Sequence, residues 1–291
     1  MQTITLGRTG LVVSRLILGG YPFGGVNRAH DWDPWSAAGR ATAIGTVNHA
    51  LDRGISYIDT APSYGAGNSE SIIGEVMKPR RDECVLATKV NWEGRSRRDV
   101  IDSVHASLDR LQTDHLDIVQ FHGGFYTPAD HDHIVSGGPL QALRELKQQG
   151  VIGFIGITAE EPWTALPFLT EPDIDVYQLA YNLIYQSAAR HILNAAREHN
   201  VGVITMRTMT SGILQRTVRQ LAPEWARARD VYRTALEFVL ADSRVHAPIV
   251  GMRWPDEVDL NVDLVESFAP DFDLADLPRM TAHIYQAEDA E

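Results

Sequence analysis

The chain has 291 residues, 44% of them apolar and 22% charged, which fits two average soluble domains or one large barrel. A formal net charge of −12 argues against nucleic acid, whose binders carry a basic patch or stripe. The single cysteine, Cys84, excludes an internal disulfide and a cysteine-built zinc site. It lies in the apolar run CVLATKV and reads as a buried, inert thiol. No apolar run approaches the ~18 residues of a membrane span. The opening MQTITLGRTG lacks the basic-then-apolar pattern of a signal peptide, so the expected location is the cytoplasm.

In chain order, TITLGRTGLVVS reads as a β-hairpin turning at Gly7–Gly10, a plug for the floor of whatever follows. Then apolar, β-prone runs alternate with helical patterns. The strands are LILGG (16–20), ISYID (55–59), VLATKV (85–90), LDIVQFH (116–122), IGFIGI (152–157), DVYQLAY (175–181), VGVITM (201–206) and APIVG (247–251). Between and after them lie ATAIGTVNHALDRG, SESIIGEVMK, RRDVIDSVHASLDRL, GPLQALRELKQQG, PWTALPFL, AARHILNAAREHN, RTALEFVLAD and PDEVDLNVDLVESF. Their apolar positions fall at helical spacing, as in Val100, Val104, Leu108 and Leu111. Gly54, Gly150 and Asn200 close helices. Strands that read as continuous Val/Ile/Leu runs are buried on both faces, as in parallel sheets. Eight strand–helix units over roughly 250 residues predict a (β/α)8 TIM barrel, one domain over residues 1–291. A doubly wound Rossmann sheet is disfavoured, because GGYPFGGVNRAHD after the first strand lacks G-x-G-x-x-G spacing.

In such a barrel the chemistry sits where strands end at the C-terminal face. Polar residues that end apolar strands are therefore informative. Asp59 ends the second barrel strand and Tyr64 lies in its loop; Lys89 is near the end of the third; His122 ends the fourth. A tyrosine titrates near pH 10 when unperturbed, and an adjacent ammonium lowers that value. Asp59 would hold Lys89, Lys89 would tune Tyr64, and Tyr64 would exchange a proton with an oxygen positioned by His122. That set suits polarising a carbonyl while a nicotinamide cofactor supplies hydride. Taken singly, each residue also has a plain reading: a structural ion pair, a loop anchor, a hydrogen-bonded core histidine.

On these residues the chain resembles the aldo-keto reductase superfamily over nearly its whole length. LGRTGLVVSRLILGG is similar to the family's hairpin and first strand, and IDTAPSYG, ATKV and VQFHGG carry its Asp, Tyr, Lys and His. The resemblance implies Asp59, Tyr64, Lys89 and His122 as the catalytic tetrad, with Tyr64 as general acid/base. It implies cofactor contacts from Gly20, Tyr21 and Asp59, from Gln178 to the carboxamide, and from Thr158, where the family's Ser-Asn pair reads Thr158-Ala159. Met206 replaces the aromatic that stacks on the nicotinamide; Arg207 and Thr208 follow, with Arg207 aimed at the pyrophosphate. TSGIL, with Gly212 and Leu214, resembles the loop that closes over the pyrophosphate. Gly251 and the start of PDEVDLN resemble the anion site at the last helix. There Arg253 would meet a ribose 2′-phosphate and Asn261 the adenine, whereas Glu257 suits a bare ribose hydroxyl; together they favour NADP(H) over NAD(H). Tyr21, Tyr64, Trp92 and His122 are implied as substrate contacts.

HDH at 131–133 reads as part of a polar loop and not as a metal site. FYTPADHDHIVSGG (125–138) reads as a long loop bordering the substrate. The acidic tail APDFDLADLPRMTAHIYQAEDAE either folds over the pocket or is partly disordered. The expected activity is interconversion of a carbonyl (aldehyde, ketone or sugar) and an alcohol with NADP(H) or NAD(H). The alternatives are a nucleotide-sensing, non-catalytic partner subunit and an isomerase that retains its nucleotide. The expected partner is a small molecule; neither nucleic acid nor membrane is implied, and a homo-oligomer is compatible with the sequence.

Overall fold

The computed structural model describes residues 1–25, 31–228, 230–271 and 273–276. Most of the predicted tail therefore lies outside the described residues. Two short strands, β1 (Thr3–Thr5) and β2 (Val12–Ser14), pair antiparallel with Thr3 opposite Ser14. Eight further strands form the barrel: β3 (Ile17–Gly19), β4 (Tyr57–Asp59), β5 (Val85–Val90), β6 (Leu116–Phe121), β7 (Ile152–Ala159), β8 (Ile174–Ala180), β9 (Gly202–Met206) and β10 (Ala247–Gly251). They pair in parallel in chain order, and β10 closes on β3. Each lies on a run predicted from sequence.

The surrounding helices are α1 (Ala37–Asp52), α2 (Asn68–Arg80), α3 (Arg97–Leu111), α4 (Pro128–Ser136), α5 (Pro139–Gln148), α6 (Ser187–His191), α7 (Leu193–Glu198), α8 (Ile213–Leu221), α9 (Pro223–Ala228), α10 (Val231–Leu240) and α11 (Pro255–Ser267). Gly54, Gly150 and Asn200 all take positive φ, as their expected capping role requires. Three readings are corrected. The stretch 125–138 is not simply a loop, because α4 forms within it. Thr127 caps the helix, Asp130 returns the bond to Thr127, and Pro128 starts it. PWTALPFL is a 3-10 segment, Pro162–Thr170, with Pro167 inside it, where an α-helix would lose a backbone bond. AARHILNAAREHN is interrupted at Ile192 into α6 and α7.

The barrel interior is layered. Ile17, Tyr57, Val85, Ala87, Ile118, Val176, Ile204 and Ala247 form a buried cluster with Leu6 and Val13 of the hairpin. The hairpin thus covers the N-terminal mouth: Leu6 is fully buried, and the Arg8 amide donates to Asn200 O at 2.6 Å. Strand side chains alternate between faces with period two. Two residues above Tyr57, Ala87, Ile118 and Val176 therefore stand Asp59, Lys89, Gln120 and Gln178. All four are buried. An apolar floor carries a polar layer, and the site rises from that layer. Cys84 is buried against Met77, with its thiol pushed up to about 12 by burial. Among the described residues no helix is long and apolar enough to cross a membrane.

Candidate active site

The polar layer is one connected network. Lys89 Nζ donates to Asp59 Oδ2 at 2.6 Å and to Thr60 O at 2.8 Å. Gln120 Nε2 lies 3.1 Å from Asp59 Oδ1 and 3.0 Å from Gln178 Oε1, donating to both. Space for Gln120 comes from Gly156 on the neighbouring strand, where a Cβ would sit 2.9 Å from the Gln120 side chain. Lys89 is 1% and Asp59 2% exposed, so each charge depends on the other. Burial works against the Lys89 ammonium, but the Asp59 charge, the Tyr64 phenol and the hydrogen bonds to both together outweigh it and hold Lys89 above its ordinary value. Burial raises the Asp59 carboxyl, and Lys89 and Gln120 oppose that rise.

Tyr64 sits above this pair. The Lys89 ammonium is 5.0 Å from its ring centroid. The loop that carries it is held by a close backbone approach: a Cβ at Gly65, where φ is +63°, would fall 2.2 Å from Gly24 O. Tyr21 packs edge-on against Tyr64 with centroids 5.2 Å apart, and His122 does so at 6.0 Å. The tetrad residues expected from sequence therefore meet at one mouth of the barrel. One expectation is corrected. Burial raises the Tyr64 phenol above its usual value, and the Lys89 charge offsets that rise only in part. His122 is half-buried, and burial followed by the Lys89 charge pushes it down to about 4. It is neutral at neutral pH and can offer a hydrogen bond without carrying charge; Ser63 Oγ approaches its Nδ1 at 3.4 Å.

Residues expected around a dinucleotide are distributed as follows. Gly20 directly follows the first barrel strand, its amide on Asp59 O at 2.7 Å. Gln178 Nε2 faces Met206 Sδ at 3.8 Å. Thr208 is buried beside Thr205. Gly212, just before α8, is its N-cap with φ +77°, and the Leu214 amide donates to Thr210 Oγ1 at 3.0 Å. Gly251 ends β10 in register with Gly19. The Arg253 amide donates to Glu257 Oε2 at 2.5 Å, and Asn261 Nδ2 donates to Glu257 O at 2.7 Å.

Three residues are placed differently from expectation. The Thr158 hydroxyl donates to Gly123 O at 2.9 Å, so its one proton is committed to the loop after β6. Arg207 binds Glu160 with two nitrogens, Nε at 2.5 Å and Nη2 at 2.6 Å, and so is held by a neighbouring carboxylate. Trp92 is 3% exposed and stacked on Tyr126 with centroids 5.5 Å apart, which leaves a substrate almost none of its surface. His131 packs on Phe168 and His133 bonds Trp92 O.

Sequence reasoning missed Gln120 and Glu160. Gln120 was detectable as a polar residue inside LDIVQFH, two positions before His122 and so on the same face. Glu160 ends the run GITAE, and only the fold brings it to Arg207. The rim also exposes an aromatic pair, Phe125 and Trp163, with centroids 5.8 Å apart. Their loops are tied by the Glu161 amide on Gly124 O, and Tyr185 OH donates to Glu161 Oε2 at 2.6 Å.

Aldo-keto reductase YhdN of Bacillus subtilis is 30% identical over 74% of this chain, which spans 64% of YhdN. L-galactose dehydrogenase of Arabidopsis thaliana is 30% identical, over 89% of this chain and 86% of its own length. The structure of aldo-keto reductase AKR11C1 from Bacillus halodurans, in its holo form, superposes with a TM-score of 0.76 at 28% identity, covering 93% of this chain and 92% of the other. The model of the Aldo/keto reductase family matches residues 15–283, and with a closed eightfold barrel beneath that match, this chain belongs to the aldo/keto reductase family.

Proposed function

We propose that this chain is a nicotinamide-dependent oxidoreductase that interconverts a carbonyl and an alcohol, with Tyr64 as general acid/base. The observation that carries this reading is the buried Lys89–Asp59 pair beneath the Tyr64 ring, with a neutral His122 alongside. Such an arrangement polarises and protonates an oxygen but offers no side chain able to deliver hydride.

The residues present fit a dinucleotide. Gln178 is a buried carboxamide whose oxygen accepts from Gln120 and whose amide nitrogen faces a thioether, a weak acceptor. Arg253 Nε is buried without an acceptor among the described residues. Gln178 would hold the carboxamide, Met206 would pack on the ring, the first amides of α8 would take the pyrophosphate, and Asn261 would face the adenine. The bound dinucleotide would supply or accept the hydride. Tyr64, a neutral phenol at neutral pH as any tyrosine near its ordinary value is, and more so with burial raising it, would donate its proton to the carbonyl oxygen. His122 would orient that oxygen, and the Lys89 ammonium would stabilise the phenolate left behind.

Glu257 bears on which dinucleotide binds. Its carboxylate already accepts the Arg253 amide beside the start of α11, where a 2′-phosphate would dock. That favours NAD(H), against the NADP(H) preference drawn from Arg253 in the sequence. The test is titration of both reduced dinucleotides. Wild type is expected to bind NADH more tightly, and Glu257→Gln to gain about tenfold in NADPH affinity by removing like charge. Tighter NADPH binding by wild type would overturn the preference. The exposed Phe125–Trp163 pair beside Glu161 supports a substrate with both a flat apolar face and hydroxyls, consistent with the sugar named for the L-galactose dehydrogenase relative.

A further inference from the structure

Three consecutive polar residues open α2, and all three are buried: Asn68 is 8%, Ser69 0% and Glu70 0% exposed. Together they bond the segments after β3 and β4 and the strand β5. Asn68 Nδ2 donates to Phe23 O at 2.9 Å, in the loop after β3. Ser69 Oγ donates to Gly20 O at 2.8 Å and lies 2.9 Å from Thr60 Oγ1. Glu70 accepts from Thr88 Oγ1 at 2.6 Å and from Arg110 Nε at 2.6 Å. Thr88 immediately precedes Lys89 on β5, and by strand alternation its side chain points outward while Lys89 points into the barrel. Four residues before Asn68, on the same short segment, is Tyr64; the Ser69 amide donates to Tyr64 O at 3.2 Å. Arg110 packs beneath the segment, where a Cβ at Gly67 would fall 2.6 Å from its Cδ.

We propose that Glu70 is a positioning residue: its bond to Thr88 straps the strand bearing Lys89 to the helix that ends the Tyr64 loop, and so sets the spacing of ammonium and phenol. This rests on the reading of Tyr64 as the proton carrier. Inside the barrel Lys89 is tied to Thr60 O, on the strand side of that loop. Glu70 ties the same strand from outside, on the helix side. With both ties the loop is held at its two ends to one strand. A buried carboxylate is costly to keep unless each oxygen is engaged. Here both are, one by the strand and one by a guanidinium.

The test is Thr88→Val, which removes the strap's hydroxyl and leaves Glu70 and Arg110 paired, with Thr88→Ser as the conservative rescue. Two readouts go beyond stability. The first is kcat against dinucleotide Kd: Thr88→Val is expected to lower kcat by ~10- to 100-fold, as a misplacement of about 1 Å does, with Kd unchanged. The second is the Tyr64 ionisation, read as the ultraviolet difference from the same variant carrying Tyr64→Phe. It is expected to move to higher pH in Thr88→Val and to return in Thr88→Ser. A folded Thr88→Val with reduced stability but unchanged kcat and unchanged Tyr64 ionisation would overturn the proposal. If Thr88→Val does not fold, Thr88→Ala carries the same two readouts, because it too removes the hydroxyl that Glu70 accepts from and leaves Glu70 paired with Arg110. The ionisation readout needs no substrate. A shift there without any Tyr64-dependent turnover would sink the oxidoreductase reading and leave the strap standing.

Discussion

Tyr64→Phe is expected to lower turnover of a carbonyl substrate by ~10²- to 10⁴-fold, the range that a positioned general acid contributes. Dinucleotide affinity should stay close to wild type. The change removes one hydroxyl and leaves the ring, so the edge-on contacts with Tyr21 and His122 persist. The loop persists too, because its backbone is fixed by Gly24, Gly65 and the start of α2. Single-turnover rates with saturating dinucleotide separate the chemical step from binding. Turnover within about threefold of wild type would remove Tyr64 from the proton path and, with it, the assignment of roles around it.

The second large effect is at Asp59. Asp59→Asn keeps the shape and the contact with Gln120, but it leaves the Lys89 ammonium buried among neutral partners, the Thr60 carbonyl and the Tyr64 hydroxyl, with no carboxylate beside it. Breaking one side of a buried pair typically costs ~3–5 kcal/mol, because the other charge is stranded. Denaturant unfolding should show the midpoint falling with an unchanged slope. The sign of the electrostatic change follows from the forces on Lys89. Burial lowers its pKa and the Asp59 charge raises it. Without Asp59 the burial effect dominates, Lys89 gives up its proton more readily, and Tyr64 loses the neighbouring charge that opposes its own rise. Activity therefore falls together with stability. An Asp59→Asn protein as stable as wild type would mean that the pair is not a compensated buried charge.

The barrel was legible because its strands are buried on both faces. That turns each into a continuous apolar run, and one polar residue at its end, such as Asp59 or Lys89, stands out against it. Of the expected site residues, Asp59, Lys89 and His122 stood out for the same reason, whereas Tyr64 lies in the loop after β4. What was hidden depends on bonds between segments distant in sequence. Arg207 could be named from its place after β9, but its pairing with Glu160 needs two loops brought together across β8. Trp92 follows Lys89 closely and so invites a role at the pocket, yet packing on Tyr126 buries it. Glu70 lies in the helical run SESIIGEVMK with nothing local to mark it as buried; only the fold sets it against Thr88. The direction of the Tyr64 shift was hidden too. It is a contest between burial and the Lys89 charge, and sequence reveals the charge without the depth. In α4 the missed signal was local: Thr127, Pro128 and Asp130 form a capping box inside a stretch taken for a loop.

The most direct measurement is the ionisation of Tyr64 in the folded protein, as the ultraviolet difference between Lys89-bearing and Lys89→Met proteins, each referenced to its own Tyr64→Phe form. If the ammonium beneath the ring opposes burial, the phenol of the Lys89→Met protein should ionise at higher pH than that of the wild type. Superimposable transitions would contradict the account, for they would mean that Lys89 exerts no hold on the group given the proton.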